Sequence, residues 1–289
     1  MRNQTNLFLF LSNCLFMISI ITSVHNQLDM NKLFYETLKK NSALPFELIV
    51  IDNNSSDGSG QFFKEKADVF ISNKVNYSYP HCQNQGIAIA KYEYLAFFNN
   101  DILVPKDWDK NILQIMDDKG IEVISFATND HLENKKVQQK IHKRWKKIKY
   151  LVRTFFGTNM RSLKLMVKLM YGDLQSFCDR RYLQFKDDVI EGFSGSCIII
   201  KKSAFNKIGV WDERMQVADF DLYFRTKERS LISKDIQPLQ LALGIYVHHF
   251  QRLTLRSKNV IPFADQQNII SLKEKWGDKV ETLYKDVTG

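Results

Sequence analysis

The sequence predicts an α/β fold with a mostly parallel central sheet, helices on both faces of that sheet and a helical insertion. Over the first 130 residues, short apolar runs alternate with segments whose apolar residues recur at helical spacing. Each apolar run is continuous, which is typical of strands buried on both faces of a parallel sheet. Ligands bind at the carboxyl ends of the strands in such sheets, so the residues that end these runs are the first candidates for a site.

The predicted elements follow a regular order. The predicted strands are 17–24, 46–51, 69–73, 95–98, 121–127, 196–201 and 239–250. The predicted helices are 29–40, 61–67, 83–94, 109–117, one that begins at 218, and 262–276. The chain divides accordingly into residues 1–16, 17–130, 131–190, 191–261 and 262–289, where 131–190 is a basic helical insertion and 262–289 is a C-terminal helix.

The N-terminal stretch NLFLFLSNCLFMISIITSV has some features of a signal peptide or membrane anchor. Its apolar runs are short and interrupted by Ser12-Asn13, Arg2 is the only early charge, and no small-residue cleavage site follows. A buried first strand that begins at Met17 is the favoured interpretation. Residues 1–16 are then a leader or extra segment ahead of the fold.

The positive charge of the chain is concentrated in one segment. The formal net charge is +9, and residues 135–168 hold twelve Lys and Arg residues and no acid. The rest of the chain holds 29 basic and 32 acidic residues, so basicity is not a property of the whole surface. The four cysteines show no paired spacing, which indicates reduced thiols in a cytoplasmic protein rather than a disulfide or zinc framework.

Two interpretations fit the basic segment. Its apolar residues recur at helical spacing: Ile141, Trp145, Ile148, Leu151, Val152 and Phe155. The first interpretation is a solvated helix with a packing stripe. The second is a basic amphipathic helix on an anionic membrane surface, which would make the protein peripheral at the inner face of the membrane. No nucleic-acid partner is expected, since no nucleic-acid-binding motif accompanies the charge.

Acidic and imidazole side chains follow four of the predicted elements. Asn99-Asn100-Asp101 ends one strand, Asp52 ends another, Asp219 and Asp221 lie together, and His248-His249 ends a fourth element. Asn and Asp at one strand end commonly form only a turn. Carboxylates and an imidazole that meet at one edge of a sheet can instead hold a divalent metal, and such a metal suits a diphosphate. Because side chains alternate along a strand, only one of the two histidines can face the site, and His249 is favoured.

Five segments match a known pattern. They are SIITSVHN (Ser19–Asn26), ELIVIDNNSSDGS (Glu47–Ser59), NQGIAIAKYEYLAFFNNDILVPKDW (Asn84–Trp108), GSCIIIKKSAFNKIGVWDE (Gly195–Glu213) and ADFDLYFR (Ala218–Arg225). A late VHHFQRLT and a terminal LKEKWG complete the set. In this order and spacing the chain resembles the family 2 glycosyltransferases, which are inverting enzymes with the Rossmann-like GT-A fold.

The resemblance implies a role for each matched donor-side position. Asp52 would contact the nucleotide base, with Ser23 and His25 in the same pocket. Asn99 and Asp101 occupy the D-x-D position of the family in an N-N-D form. Asp101 would contact Mg²⁺ or Mn²⁺, and Asn99 replaces the first acid.

The resemblance also implies roles for the second half of the chain. Asp219 would be the general base, and His249, or His248, would contact the metal or the diphosphate. Trp211, Asp212 and Glu213 would lie on the acceptor side, although Trp211 also suits a packing role. Residues 17–130 would then bind the nucleotide sugar and 191–261 would carry the base and the acceptor side. Asp221 would pair with Arg225, four residues later.

The expected reaction is transfer of a sugar, with inversion, from a UDP-, GDP- or dTDP-linked donor to a hydroxyl of a glycan or lipid-linked acceptor, in surface polysaccharide or glycoconjugate synthesis. Three positions depart from the family pattern: Ala218 replaces a Glu, Ser23 replaces a Pro, and Gln251-Arg252 replaces a glycine-bearing loop. One alternative is a sugar nucleotidyltransferase, although no Gly-rich basic loop follows the first strand. The other is a catalytically degenerate relative that only binds sugar nucleotides, which Ala218 suggests.

Overall fold

The computed structural model describes residues 18–251, 253 and 262–284 and contains a nine-stranded mixed sheet. The strand order is β3-β2-β1-β4-β8-β6-β9-β5, and β7 pairs with β9. Strands β1, β2, β3, β4, β6 and β9 run in one direction, so the prediction of a mostly parallel sheet is confirmed. The predicted leader 1–16 lies outside the described residues.

The strands are β1 (Ile18–Val24), β2 (Phe46–Asn53), β3 (Val69–Asn73), β4 (Tyr94–Phe98), β5 (Ile102–Leu103), β6 (Val123–Thr128), β7 (Val189–Glu191), β8 (Cys197–Lys201) and β9 (Gln240–His249). The longer helices are α1 (Leu28–Asn41), α3 (Tyr79–Ile89), α4 (Trp108–Lys119), α5 (Lys135–Phe156), α6 (Met160–Tyr171), α7 (Leu174–Phe185) and α9 (Ala218–Ile232). The shorter helices are α2 (Ser59–Lys64), α8 (Phe205–Ile208), α10 (Leu272–Trp276) and α11 (Lys279–Leu283).

Alternate residues of each central strand enter the two cores that sandwich the sheet. In β4, Ala96 and Phe98 pack on one face, whereas Leu95 and Phe97 pack on the other. Helices α1, α2 and α4 cover the first face, and α3, α8 and α9 cover the second. This two-sided burial explains the continuous apolar runs, because both sets of side chains leave water.

The insertion forms a helical layer, as the sequence predicts. Helices α5, α6 and α7 are capped at their N-termini by Asn134, Asn159 and Asp173, whose side chains each accept a hydrogen bond from a backbone N–H of the first turn. On α5, Trp145 and Val152 point inward and pack on α6 and Phe250. Leu151 and Phe155, which the sequence places on the same stripe, are instead exposed.

Two predicted helices differ from the structure. Helix α3 spans 79–89 rather than 83–94, because Pro80 fits its first turn and lacks the N–H that a helix interior needs. The helix predicted at 262–276 is replaced by a short 3₁₀ turn and two short helices, α10 and α11. Gly277, whose φ of 53° is in the left-handed region, ends α10 and separates it from α11.

The C-terminal helices are held by one buried carboxylate of α9. Asp221 accepts a hydrogen bond from Nε1 of Trp276 at 2.9 Å, and its other oxygen pairs with Nε of Arg225 at 2.9 Å. Nζ of Lys275 adds an ion pair at 2.6 Å. The predicted Asp221–Arg225 pair is confirmed, and the Lys-Trp-Gly segment has a structural reason: both of its long side chains satisfy the same buried charge.

Across residues 18–251, 253 and 262–284, no helix has both the length and the apolar composition that a membrane crossing requires.

Candidate active site

The carboxyl ends of the parallel strands bring together side chains that are far apart in the sequence. Val24 at the end of β1 lies in register with Asp52 at the end of β2. β4 ends at Phe98, directly before Asn99, and β6 and β9 end at the same edge with Thr128 and His249. This edge is the one at which the sequence predicts a site.

Two loops at this edge are tied into one unit. The backbone N–H of Asn26 donates to Oγ of Ser55, and the side chain of Asn26 accepts from the N–H of Ser56, both at 2.8 Å. Nδ1 of His25 lies 2.8 Å from the carbonyl oxygen of Asn53. The loop that carries His25 is therefore fixed against the loop that follows Asp52.

Asp52 occupies a close-fitting position beside α2. Its carboxylate accepts a hydrogen bond from the N–H of Ser55, and Gly60 passes so near that a Cβ there would lie 2.5 Å from Oδ2. Glycine is therefore required at position 60 to admit the carboxylate. Ser23 lies at the end of β1 and accepts a hydrogen bond from Gln83 at 3.3 Å. The structure thus places Ser23, His25 and Asp52 around the first two loops.

An open cleft of about 310 Å³ lies along the same edge. Three residues that the sequence singles out line it: Asn99, Asp219 and His249. Three that it does not single out line it as well: Tyr79, Asp130 and His131. Ser23, His25 and Asp52 do not line this cleft, so the predicted site has two parts.

The residues that follow Asp101 explain how this acid reaches His249. Ile102 and Leu103 form β5, which pairs antiparallel with β9 so that Ile102 faces His249. The N–H of Phe250 also donates to the carbonyl oxygen of Asp101 at 2.9 Å. The apolar pair after Asp101 is therefore a short strand that holds the acid beside the histidine.

His249 lies between two carboxylates. Nε2 is 3.2 Å from Oδ1 of Asp101, and Nδ1 is 2.6 Å from Oδ2 of Asp130. Burial alone would lower the pKa of His249, but the charges and hydrogen bonds of Asp101 and Asp130 raise it to about 10. The imidazole is held in one orientation with one ring nitrogen toward Asp101.

The residues present fit a divalent cation. Oδ1 of Asp130 is buried and accepts no hydrogen bond from any described residue, and Oδ1 of Asp101 is buried beside Nε2 of His249. Carboxylate oxygen and imidazole nitrogen are suitable ligands for Mg²⁺ or Mn²⁺, and His249 would lose its Nε2 proton on binding the cation. Within the described part of the chain no group of three or more His, Cys, Asp and Glu side chains has the spacing of a preformed metal site, so the remaining ligands would have to come from a diphosphate.

The structure separates the two adjacent histidines. His248 points into the insertion, where Nδ1 lies 2.8 Å from the hydroxyl of Tyr171 and the ring packs edge-on against Trp145. Burial, followed by the neighbouring His249, lowers the pKa of His248 to about 3, so this ring stays neutral. His249 alone of the pair faces the cleft.

The two acids of α9 also differ. Asp219 lies in the first turn and accepts a hydrogen bond from the N–H of Phe220 at 3.0 Å, but it has no ion pair within the described residues. Burial raises the pKa of its carboxyl group. A Cβ at Gly195 would lie 2.1 Å from Oδ2 of Asp219, so the glycine that opens the fourth motif makes room for this carboxylate. Asp219 is available for chemistry, whereas Asp221 is used in the core.

Asn99 and Asn100 face different ways. The N–H of Asn99 donates to the carbonyl oxygen of Ser196 at 2.9 Å, and the residue lines the cleft. The side chain of Asn100 donates to Oδ1 of Asn31 at 2.6 Å and so joins α1.

The expected acceptor-side residues have structural contacts instead. Trp211 is 2% exposed and packs edge-on against Phe97 and Tyr79. Asp212 pairs with Arg214 and Lys275. The hydrogen bond from Arg214, followed by the one from Lys275, holds the pKa of the Asp212 carboxyl group well below its usual range. None of the three predicted residues lines the cleft, and their assignment to the acceptor side stays a prediction.

Glu213 has structural contacts as well, since it lies 2.8 Å from Nδ1 of His81 and accepts a hydrogen bond from Asn84 at 2.9 Å. The segment 211–213 therefore fastens α3 and the C-terminal region to the sheet.

The sequence contains a pattern that could have identified Asp130 as a candidate site residue. Asp130 follows the predicted strand 121–127 by three residues, as Asp101 follows the strand 95–98. Tyr79 gives no such signal, since it lies at the start of a helix that the sequence places four residues later.

Comparison with known proteins defines the class. The sequence model of glycosyl transferase family 2 matches residues 19–209, which is about two thirds of the chain. The chain belongs to this family, and the predicted GT-A fold is confirmed. No curated protein gives a significant match.

Among solved structures, S. aureus TarS 1–349 is 15% identical, covering 80% of this chain and 60% of that one, with a TM-score of 0.48. The mannosyltransferase PcManGT from Pyrobaculum calidifontis, in complex with GDP-Man and Mn²⁺, is 12% identical, covering 78% of this chain and 56% of that one, also with a TM-score of 0.48. The chain thus spans less than two thirds of the length of either protein.

We predict that Asp219→Asn stabilises the fold at pH 7.5, by about 1 kcal/mol, because it removes an unpaired buried charge. In the folded protein the pKa of Asp219 is raised above its usual value of 3.8. At a pH between the folded and unfolded pKa values, the folded protein therefore keeps a proton on this carboxyl group that the unfolded chain has lost. Stability is therefore lost as pH rises through this window, and the gain from Asn should shrink as pH is lowered toward the usual pKa. Urea unfolding at a series of pH values measures both effects.

Asp221→Asn is the matched control on the same helix. It should lower the free energy of unfolding by about 2 kcal/mol, because Lys275 and Arg225 lose a buried charged partner. Equal effects of the two substitutions would contradict the distinction between an available and a structural acid.

Proposed function

We propose that the protein is an inverting glycosyltransferase that moves a sugar from a nucleotide-sugar donor to a hydroxyl of a glycan or lipid-linked acceptor, in surface polysaccharide or glycoconjugate synthesis. The observation that carries this proposal is the placement of Asp219, a buried carboxylate with no ion pair among the described residues, in the same cleft as His249 and Asn99. Membership of glycosyl transferase family 2 supports it independently.

Asp219 is the proposed general base. Single displacement needs one group that accepts the proton of the acceptor hydroxyl as its oxygen attacks the anomeric carbon. The raised pKa makes the carboxylate of Asp219 a stronger base than that of an exposed aspartate. Inversion follows because the acceptor oxygen and the departing diphosphate lie on opposite sides of that carbon.

The donor is proposed to lie across both parts of the site. Its base, from UDP, GDP or dTDP, would meet Asp52, Ser23 and His25 at the joined loops, and its diphosphate would lie toward Asn99 and Asp101. Asp101 and His249 would hold Mg²⁺ or Mn²⁺, which supplies positive charge to the departing diphosphate. Asp130 fixes the ring of His249 through its 2.6 Å contact with Nδ1, leaving Nε2 directed at the Asp101 side.

The two rival functions remain distinguishable by experiment. Ala218 is buried and lines the cleft, and Asp219 lines the same cleft although the usual Glu is absent. The presence of this carboxylate supports an active enzyme over a degenerate binding protein. A nucleotidyltransferase would release pyrophosphate from a nucleoside triphosphate, whereas the proposed reaction releases a nucleoside diphosphate.

We expect purified protein to release nucleoside diphosphate from at least one donor in a screen of UDP-, GDP- and dTDP-sugars. Asp219→Asn should lower kcat by about 10²- to 10⁴-fold, because the proton of the attacking hydroxyl loses its acceptor. The affinity for the nucleoside diphosphate should stay within twofold of wild type, roughly the error of such a titration. Full turnover in Asp219→Asn would refute the base assignment, and release of pyrophosphate from triphosphates would favour the nucleotidyltransferase.

A second experiment measures Mn²⁺ binding directly, by electron paramagnetic resonance in the presence of nucleoside diphosphate. Asp101→Ala should abolish Mn²⁺ binding while leaving the fold intact. Asp130→Asn should weaken it by about 10- to 100-fold, because the orienting partner of a ligand histidine is altered. Asp212→Asn, whose carboxylate binds Arg214 and Lys275 elsewhere, should bind Mn²⁺ like wild type. Unchanged binding in Asp101→Ala would refute the metal site.

We also propose that helix α5 binds an anionic membrane surface. Near its C-terminal end Tyr150, Phe155 and Phe156 are 68%, 74% and 61% exposed, beside Lys147 and Arg153. Exposed aromatic residues among cations suit the interface of an anionic bilayer, where rings enter the headgroup layer and cations meet phosphate. Such a contact would bring a lipid-linked acceptor close to the cleft at the inner face of the membrane.

Flotation with phosphatidylglycerol vesicles at low salt tests this membrane contact. Wild type should float, and Phe155→Ser together with Phe156→Ser should stay in the bottom fraction, since the inserted apolar area is lost. Ile232→Ser is the control, because Ile232 is equally exposed at 74% but lies on α9. Failure of wild type to float on these vesicles, or equal loss in the control, would refute the proposal.

A further inference from the structure

The phenol of Tyr79 lies in the wall of the cleft, at the first residue of α3. Its hydroxyl oxygen is buried and has no hydrogen-bond partner among the described residues. A buried hydroxyl without a partner is unfavourable, because it has left water without replacing the hydrogen bonds that water made. A group that faces a cleft in this state is explained most simply by a partner that arrives with a ligand.

The contacts around Tyr79 prevent the ring from turning to find another partner. Ser78, directly before it, donates to Asp265 from its backbone N–H at 2.9 Å and from its hydroxyl at 2.5 Å. The ring of Tyr79 packs edge-on against Trp211, with centroids 5.6 Å apart, and Trp211 packs in the same way on Phe97 of β4. The position of the hydroxyl is therefore set by the core.

The electrostatic surroundings make Tyr79 a hydrogen-bond donor and not a base. Burial raises the pKa of its phenol, and the negative charge of Asp219 raises it further. Asp219 is thus near enough to act on Tyr79 through space, although no hydrogen bond joins the two side chains. The cleft between them is open, and Gly195 adds no side chain to fill it. Because Tyr79 and Asp219 line the same cleft, a molecule bound there can meet both the phenol and the carboxylate.

We propose that the Tyr79 hydroxyl donates a hydrogen bond to an oxygen of the transferred sugar, so that Tyr79 recognises the sugar and not the nucleotide. This inference rests on the proposed function, in which Asp219 works beside the anomeric carbon. Tyr79 shares the cleft with Asp219, whereas Asp52, Ser23 and His25 lie in the other part of the site. A donor with the same base but no sugar has no group to meet the phenol.

Tyr79→Phe tests the proposal, because it keeps the ring that packs on Trp211 and removes only the hydroxyl. Calorimetric titrations compare UDP with UDP-glucose, GDP with GDP-mannose, and dTDP with dTDP-glucose, on wild type and variant. Affinity for the diphosphate alone should not change, and affinity for the sugar nucleotide and kcat/KM should fall by about tenfold or more. The melting temperature should stay equal or rise, since the unpaired hydroxyl is gone.

Tyr94→Phe is the control for loss of a phenolic hydroxyl that has a partner. Tyr94 donates to Asp117 away from the cleft, so this variant should lose stability and bind every ligand like wild type. Unchanged sugar-nucleotide affinity in Tyr79→Phe would mean that the phenol meets only water, and would overturn the proposal. Equal loss for the diphosphate and the sugar nucleotide would overturn it as well. If the wild-type protein binds none of the three nucleoside diphosphates and none of the three sugar nucleotides, the proposed nucleotide-sugar donor is overturned. The proposed role of Tyr79 is then overturned as well.

Discussion

Burial of the central sheet on both faces is the constraint on which the rest of the structure depends. Strands such as β4 have apolar neighbours above and below, so a charged side chain has no place within them. Polar side chains collect where the strands end, and parallel strands end at one edge. Asp52, Asp101, Asp130 and His249 come from four different strand ends and reach the same edge for this reason.

The site carries polar groups that the fold itself does not satisfy. Asp219 has no ion pair within the described residues, and the hydroxyl of Tyr79 and one oxygen of Asp130 lack hydrogen bonds there. Asp221, two residues from Asp219, has three partners and anchors the C-terminal helices. Unsatisfied groups cost stability, and a ligand in the cleft would supply the contacts that these groups lack.

The pairing of β5 with β9 links the insertion to the site. It places His249 beside Asp101, and alternation along β9 then directs His248 to the opposite side. There His248 is enclosed by Tyr171 of α6 and Trp145 of α5. The basic helix is therefore packed against the same strand that ends in the cleft, which connects a surface suited to an anionic membrane with the residues suited to the diphosphate.

The sequence by itself determined the sheet, the edge at which the site lies, and the positions of Asp52, Asp101 and Asp219, because apolar period, strand ends and motif spacing are local properties. Only the tertiary structure decided which of two adjacent histidines faces the cleft, that Asp130 contacts a residue 119 positions away, and that Trp211 is buried. The same holds for the unpartnered hydroxyl of Tyr79. These facts depend on how strands and helices from distant parts of the chain pack together, and no local pattern specifies those contacts.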